Sequence, residues 1–96
     1  MSESAPSFSV IQSFVRHEGT EDFFLVSTID RESSIAMIPA PRYYETLVWK
    51  WLPRHGRRDG DQILGQFEAP QGSLGVHLGV CQKLFSGGIG ALSDEV

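Results

Sequence analysis

Three side chains in this sequence have types and spacings suited to chemistry: Glu45, His77 and Cys81. Glu45 stands in the run from Tyr43 to Trp51, where alternation places it on one face with Tyr43, Leu47, Trp49 and Trp51. A carboxylate among large apolar groups has its charged form disfavoured, which suits an acid or base. The commoner use is structural, as an acceptor for Ser27, Thr28, a backbone N–H or His77. His77 falls on an apolar helical stripe, one turn from Leu74 and Cys81. A helix laid on the sheet would carry it over the glutamate strand, and a His77–Glu45 pair would be a general acid–base arrangement or half of a metal site. A core histidine bonded to a neighbour is again the commoner outcome. Cys81 follows His77 at i, i+4, so a Cys–His nucleophile pair is conceivable. With no orienting group besides Glu45, a small buried thiol fits Cys81 better.

A second kind of chemistry is offered by Pro53 to Asp61, a hydrophilic loop holding Arg54, His55, Arg57 and Arg58. From Arg42 to Arg58 there are five Lys/Arg against one Glu, a local +4 in a chain of net −4, which leaves −8 for the remainder. Such a loop suits an anionic partner, either nucleic acid or an acidic protein face, with Trp49, Trp51 and the neighbouring tyrosines as stacking groups. A solvated loop between strands is the plainer alternative, because no recognised nucleic-acid motif accompanies it. Gly72, Gly75 and Gly79 fit neither a P-loop nor a dinucleotide fingerprint, and close approach of a helix to a sheet is their expected explanation. No metal or cofactor is expected.

The elements that must position these groups follow from periodicity. Phe8 to Val15 reads as a strand, His17 to Glu21 as a turn around Gly19, and Phe23 to Ile29 as a second strand. So short a connection forces an antiparallel hairpin. Asp30 to Ser33 turns again. Ile35 to Ile38 is a short apolar run stopped by Pro39-Ala40-Pro41, which cannot sit inside a sheet. Tyr43 to Trp51 is the strongest strand, apolar on both faces and therefore central. Gln62 to Glu68 is the last strand. After Pro70 the period changes: Leu74, His77, Leu78, Cys81, Leu84 and Phe85 form one stripe of a helix that ends at Gly87-Gly88. The tail from Ser86 to Val96 is expected to be loose, as is the polar lead from Met1 to Ser7.

Length and composition bound the rest. A chain of 96 residues makes one domain with one small core. One cysteine builds no disulfide framework and no thiolate zinc site. No run of eighteen apolar residues exists, and the polar start lacks a secretory pattern, so a cytoplasmic protein is expected. A net charge of −4 argues against sequence-blind coating of DNA.

Val26-Ser27-Thr28-Ile29, then Tyr44-Glu45-Thr46-Leu47-Val48-Trp49, then Phe67 followed ten positions later by His77, resemble a family of small uncharacterised bacteriophage and bacterial proteins. Its members carry a V-S-T-[VI] strand, a [YF]-E-T-[ML]-V-[FW] strand and an aromatic leading into a helix with a histidine. The resemblance spans residues 25–85. Ser73 and Val76 stand where that family has alanine and glycine, and the Asp30 to Pro41 segment replaces its histidine- and glycine-bearing loop. The resemblance implies a small α+β domain of phage or prophage origin and brings no biochemical activity with it.

The expected fold is an antiparallel sheet of four or five strands with one C-terminal helix on one face. One helix leaves a sheet face uncovered, with Tyr44 and Val48 or one of the tryptophans on it, and a second copy is the simplest cover. The expected function is a non-enzymatic interaction protein that binds another macromolecule. Its partner-binding candidates are Arg54, His55, Arg57, Arg58, Trp49 and Trp51, and the competing enzyme would use His77 and Glu45.

Overall fold

A computed structural model describes residues 9–30, 44–69 and 73–95 of the chain. The polar lead, the Ile35–Ile38 run with its prolines, Tyr43, and the Pro70 to Gly72 approach to the helix lie outside the described residues.

The first two strands, β1 (Ser9–Arg16) and β2 (Phe23–Asp30), pair as the expected antiparallel hairpin, with Phe14 opposite Leu25 and Arg16 opposite Phe23. Polar groups close the turn. The His17 N–H donates to the Asp22 carbonyl at 2.9 Å. The Thr20 hydroxyl donates to the His17 carbonyl at 2.8 Å. Gly19 supplies a φ of 75°, which a Cβ would disfavour.

The aromatic-rich strand β3 (Tyr44–Leu52) is central. It takes β2 along one side, and β4 (Arg57–Arg58) and β5 (Gly65–Ala69) along the other, all antiparallel. The hydrophilic loop is therefore partly strand, which its composition did not predict. The chain reverses at Gly56, whose N–H donates to the Leu52 carbonyl at 2.8 Å. It pairs through Arg58, leaves the sheet after Asp59, and returns when the Leu64 N–H meets the Val48 carbonyl at 2.7 Å. Strands β4 and β5 are two pieces of one return path along β3. Backbone hydrogen bonds hold the first piece, whose two side chains are exposed, with Arg58 laid over the Trp49 ring.

Helix α1 (Ser73–Gly87) lies on one face of the sheet. Phe24 and Val26 of β2, Val48 of β3, and Val80 and Leu84 of the helix form the buried core, with Leu92 from beyond the helix. Each such side chain contributes about 1.5–3 kcal/mol on leaving water. The helix is rotated from its expected stripe. Val76, His77, Val80, Cys81 and Leu84 turn inward, while Leu74, Leu78 and Phe85 remain exposed. At about 100° per residue the apolar arc from Val76 round to Leu78 spans roughly 200°, more than one sheet contact covers.

Gly88 ends the helix with φ 69° and donates its N–H to the Leu84 carbonyl at 3.0 Å, a left-handed cap. The tail expected to be loose folds instead. Ile89–Glu95 forms a 3₁₀ segment whose Leu92 is buried in the core. An apolar residue four positions past a glycine cap can fold back over the end of the core, and Leu92 does so.

Strand alternation now assigns the faces. Ser13, Val15, Phe24, Val26, Thr28, Thr46, Val48 and Phe67 face the helix. Phe14, Arg16, Phe23, Leu25, Glu45, Leu47, Trp49, Trp51 and Gln66 face away. Val48 is fully buried under the helix, so the face turned from the helix is that of the tryptophans and not that of Tyr44 and Val48.

Candidate functional site

His77 sits in the second turn of α1, on the side pressed to the sheet, and is 0% exposed. Its Nδ1 is 2.8 Å from the Thr28 hydroxyl. Its Nε2 is 2.8 Å from the Ser13 hydroxyl. Thr28 in turn meets the Thr46 hydroxyl at 2.7 Å. One helix and three strands thus share a polar row, Ser13–His77–Thr28–Thr46, half-buried at Ser13 and buried from His77 onward. Burial pushes the His77 pKa below its ordinary value, so the ring is neutral, with one N–H donor and one lone pair. Hydroxyls donate or accept, so both tautomers are satisfied.

Glu45 belongs to the other side of the sheet. Its neighbour Thr46 points to the helix, so Glu45 points away, where the Gln66 side-chain amide donates to its carboxylate. The sheet itself separates His77 from Glu45, and the expected acid–base pair is not brought together. Strand parity and helix register are independent of each other, so the sequence could not tell which face of the sheet the helix would take. Ser13 beside the His77 ring resembles a nucleophile–base pair, but Thr28 holds the position an orienting carboxylate would need, and the ring is sealed from any substrate.

Cys81 is half-buried, and burial pushes its thiol up, against a smaller downward effect of a hydrogen bond with Ser13. That favours the thiol form over the reactive thiolate. Among the described residues no group of three His, Cys, Asp or Glu side chains is placed to hold a metal ion, and no helix is long and apolar enough to cross a membrane.

The basic loop does not form one patch. Arg54, His55, Arg57 and Arg58 are all exposed. Arg57 lies opposite Leu52, and Arg58 opposite Trp51, so alternation sends the two side chains to opposite faces. Arg58 lies over the Trp49 ring at 4.7 Å and reaches Asp61 at 3.8 Å. Arg54 and His55 line a shallow groove with Glu21 and Phe23. The register shows a row that the loop-centred reading missed: Arg16, Phe23, Trp51 and Arg58 lie side by side across β1, β2, β3 and β4. Arg16 stands 6.0 Å over the Phe23 ring, and Phe14 packs 4.8 Å from Trp51. Equal spacing from the two hairpin turns would have found this row, had the register been known.

A groove of ≈ 470 Å³ between β5 and α1 includes Gly75 and Gly79. An added Cβ at either glycine meets nothing within 4 Å, so close approach to the sheet does not explain them. A wider groove of ≈ 770 Å³ runs between β1 and α1, lined by Phe14, Val15, Arg16, Leu78, Cys81 and Phe85 among others.

The chain matches no protein-family model, no curated protein and no solved structure.

Proposed function

We propose that the chain is a small non-enzymatic interaction protein, a cytoplasmic phage-type accessory factor of the kind its strand and helix motifs resemble, which acts by binding another macromolecule. One observation carries this reading. The titratable group best suited to catalysis, His77, is fully buried and bonded at both nitrogens, while large apolar groups stand outside: Phe14 is 59% exposed, Phe85 53% and Leu78 51%. Phe14 on one face of the β1 edge and Leu78 and Phe85 above the other make an exposed apolar rim, and such rims mark binding surfaces. Capture from bacterial lysate on the immobilised chain tests it against a Phe14→Ser/Phe85→Ser double variant. Species held by the wild type and lost by the folded variant are expected; identical captured sets would refute the reading.

Nucleic acid is the second reading, now favoured by the Arg16–Phe23–Trp51–Arg58 row rather than by the loop alone. Half-buried rings flanked by exposed guanidinium groups, at the end of the sheet face turned from the helix, suit stacked bases with phosphates alongside. Its test is binding of a single-stranded oligonucleotide as salt is raised. Steep weakening with salt, and loss in Arg54→Ser/Arg57→Ser/Arg58→Ser, would support it; salt-insensitive or absent binding would exclude it.

A further inference from the structure

Strand β1 pairs with β2 along one side. In an antiparallel pair, alternate residues direct both backbone groups at the partner. The His17 N–H bonds the Asp22 carbonyl, so His17 is one of these. By alternation Val15 and Ser13 also face β2, and Phe14 and Arg16 turn their N–H and C=O groups outward. Glu18, next in that outward row, donates its N–H to the Phe85 carbonyl at 2.8 Å, which marks where α1 closes the edge. Among the described residues nothing takes the outward groups of Phe14 and Arg16.

Natural edge strands are guarded by charge, proline or short length. This one is eight residues long, Ser-Val-Ile-Gln-Ser-Phe-Val-Arg, with no proline and one charge at its end, and its one irregularity, a register shift between Ser9 and Ile11, leaves Ile11 to Arg16 in regular pairing. Above it lies the exposed stripe of Leu74, Leu78 and Phe85.

We infer that a second copy of this chain occupies this edge: the two β1 strands pair antiparallel across a two-fold axis at Phe14, and the Leu74–Leu78–Phe85 stripes of the two helices meet on one side of the joined sheet. This rests on the interaction reading and names its partner. An antiparallel edge is self-complementary, so the contact closes as a symmetric pair. An extended peptide would satisfy the strand edge but leave the helix stripe in water, whereas a second copy brings a strand and a helix together. A two-fold axis normal to the sheet keeps both helices on the same face. With strands about 4.8 Å apart, helices lying over β1 and β2 stand about two strand spacings from each other, close to the 8–10 Å of packed helices. On the opposite face each Phe14 ring meets its copy and extends the contact with Trp51. The two Arg16 side chains, each four residues' length (~14 Å) from the other at ~3.4 Å per residue, do not repel.

Sedimentation equilibrium over a range of concentrations tests this, with Phe14→Lys and Leu78→Glu as variants at exposed positions. A reversible wild-type dimer is expected, and monomers with unchanged circular dichroism for both variants. A wild type that stays monomeric at high concentration, or a dimer indifferent to both changes, overturns the inference. Register is tested in a Cys81→Ser background. Phe14→Cys should oxidise to a linked dimer, since facing residues of a hydrogen-bonded pair have Cα atoms about 5.5 Å apart, within disulfide reach. Arg16→Cys should not, and linkage at Arg16→Cys in preference to Phe14→Cys overturns the register. A monomeric chain whose captured macromolecule is still lost in Phe14→Ser/Phe85→Ser removes the second copy as occupant and keeps the interaction reading. A monomeric chain that captures nothing removes both.

Discussion

Acidification should destabilise this protein through His77, and by an amount that can be worked out beforehand. The ring is fully buried between two hydroxyls, and burial lowers its pKa from the ordinary 6.5. In the unfolded chain the same imidazole regains that ordinary value and takes a proton below it. The unfolded state therefore binds more protons than the native state, and stability rises with pH. The contribution is complete above pH 6.5 and is lost as pH falls from 6.5 toward the lowered native value. One group gives at most about 1.4 kcal/mol per pH unit, so up to about that much should be lost between pH 7.5 and 5.5. The assay is urea unfolding at pH 7.5, 6.5 and 5.5, followed by tryptophan fluorescence, for the wild type and for His77→Gln. Staying above pH 5.5 keeps most carboxylates ionised. The variant should be less stable at pH 7.5 by about 1–3 kcal/mol, the cost of disturbing buried hydrogen bonds, yet show a flatter pH profile. An equal loss of stability with acid in both proteins would refute the assignment of the buried neutral ring.

The glycines make opposite predictions. Gly75→Ala and Gly79→Ala should each stabilise the chain by about 0.5–1 kcal/mol in thermal or urea unfolding, because a methyl group meets nothing there while helix propensity improves. Gly88→Ala should destabilise by at least about 1–2 kcal/mol. Its φ of 69° disfavours a side chain, and the new Cβ would lie 2.7 Å from the His17 Nδ1. Cys81 should react slowly with iodoacetamide at neutral pH and quickly once unfolded, since burial raises its pKa. Equal rates in the two states would contradict the half-buried thiol.

Much of the architecture was legible because strand period and turn chemistry are local. The Gly19 turn forced the first hairpin. Large apolar groups on both sides of Tyr44–Leu52 marked a central strand, and Gly87-Gly88 marked the end of the helix. The Arg57–Arg58 strand was hidden because two exposed arginines show no apolar alternation, and their backbone pairing and the Arg58–Trp49 contact exist only in the folded sheet. The tail was misjudged for a related reason: Leu92 looked isolated among glycines until the helix end brought the core within its reach.

The candidate sites divide along the same line. Sequence by itself placed Glu45 on the face of Trp49 and Trp51, put His77 and Cys81 on neighbouring positions of one helix, and gathered the basic residues between two strands, because each of these is a relation within one element. Whether His77 would meet Glu45, or Ser13 and Thr28 instead, depended on which face of the sheet the helix covered, and local periodicity carries no information about that. The rotation of α1, which buried Leu84 and left Leu78 and Phe85 in water, was likewise decided by tertiary packing: a 200° apolar arc, roughly, offers several equally hydrophobic faces, and the sheet could take one of them.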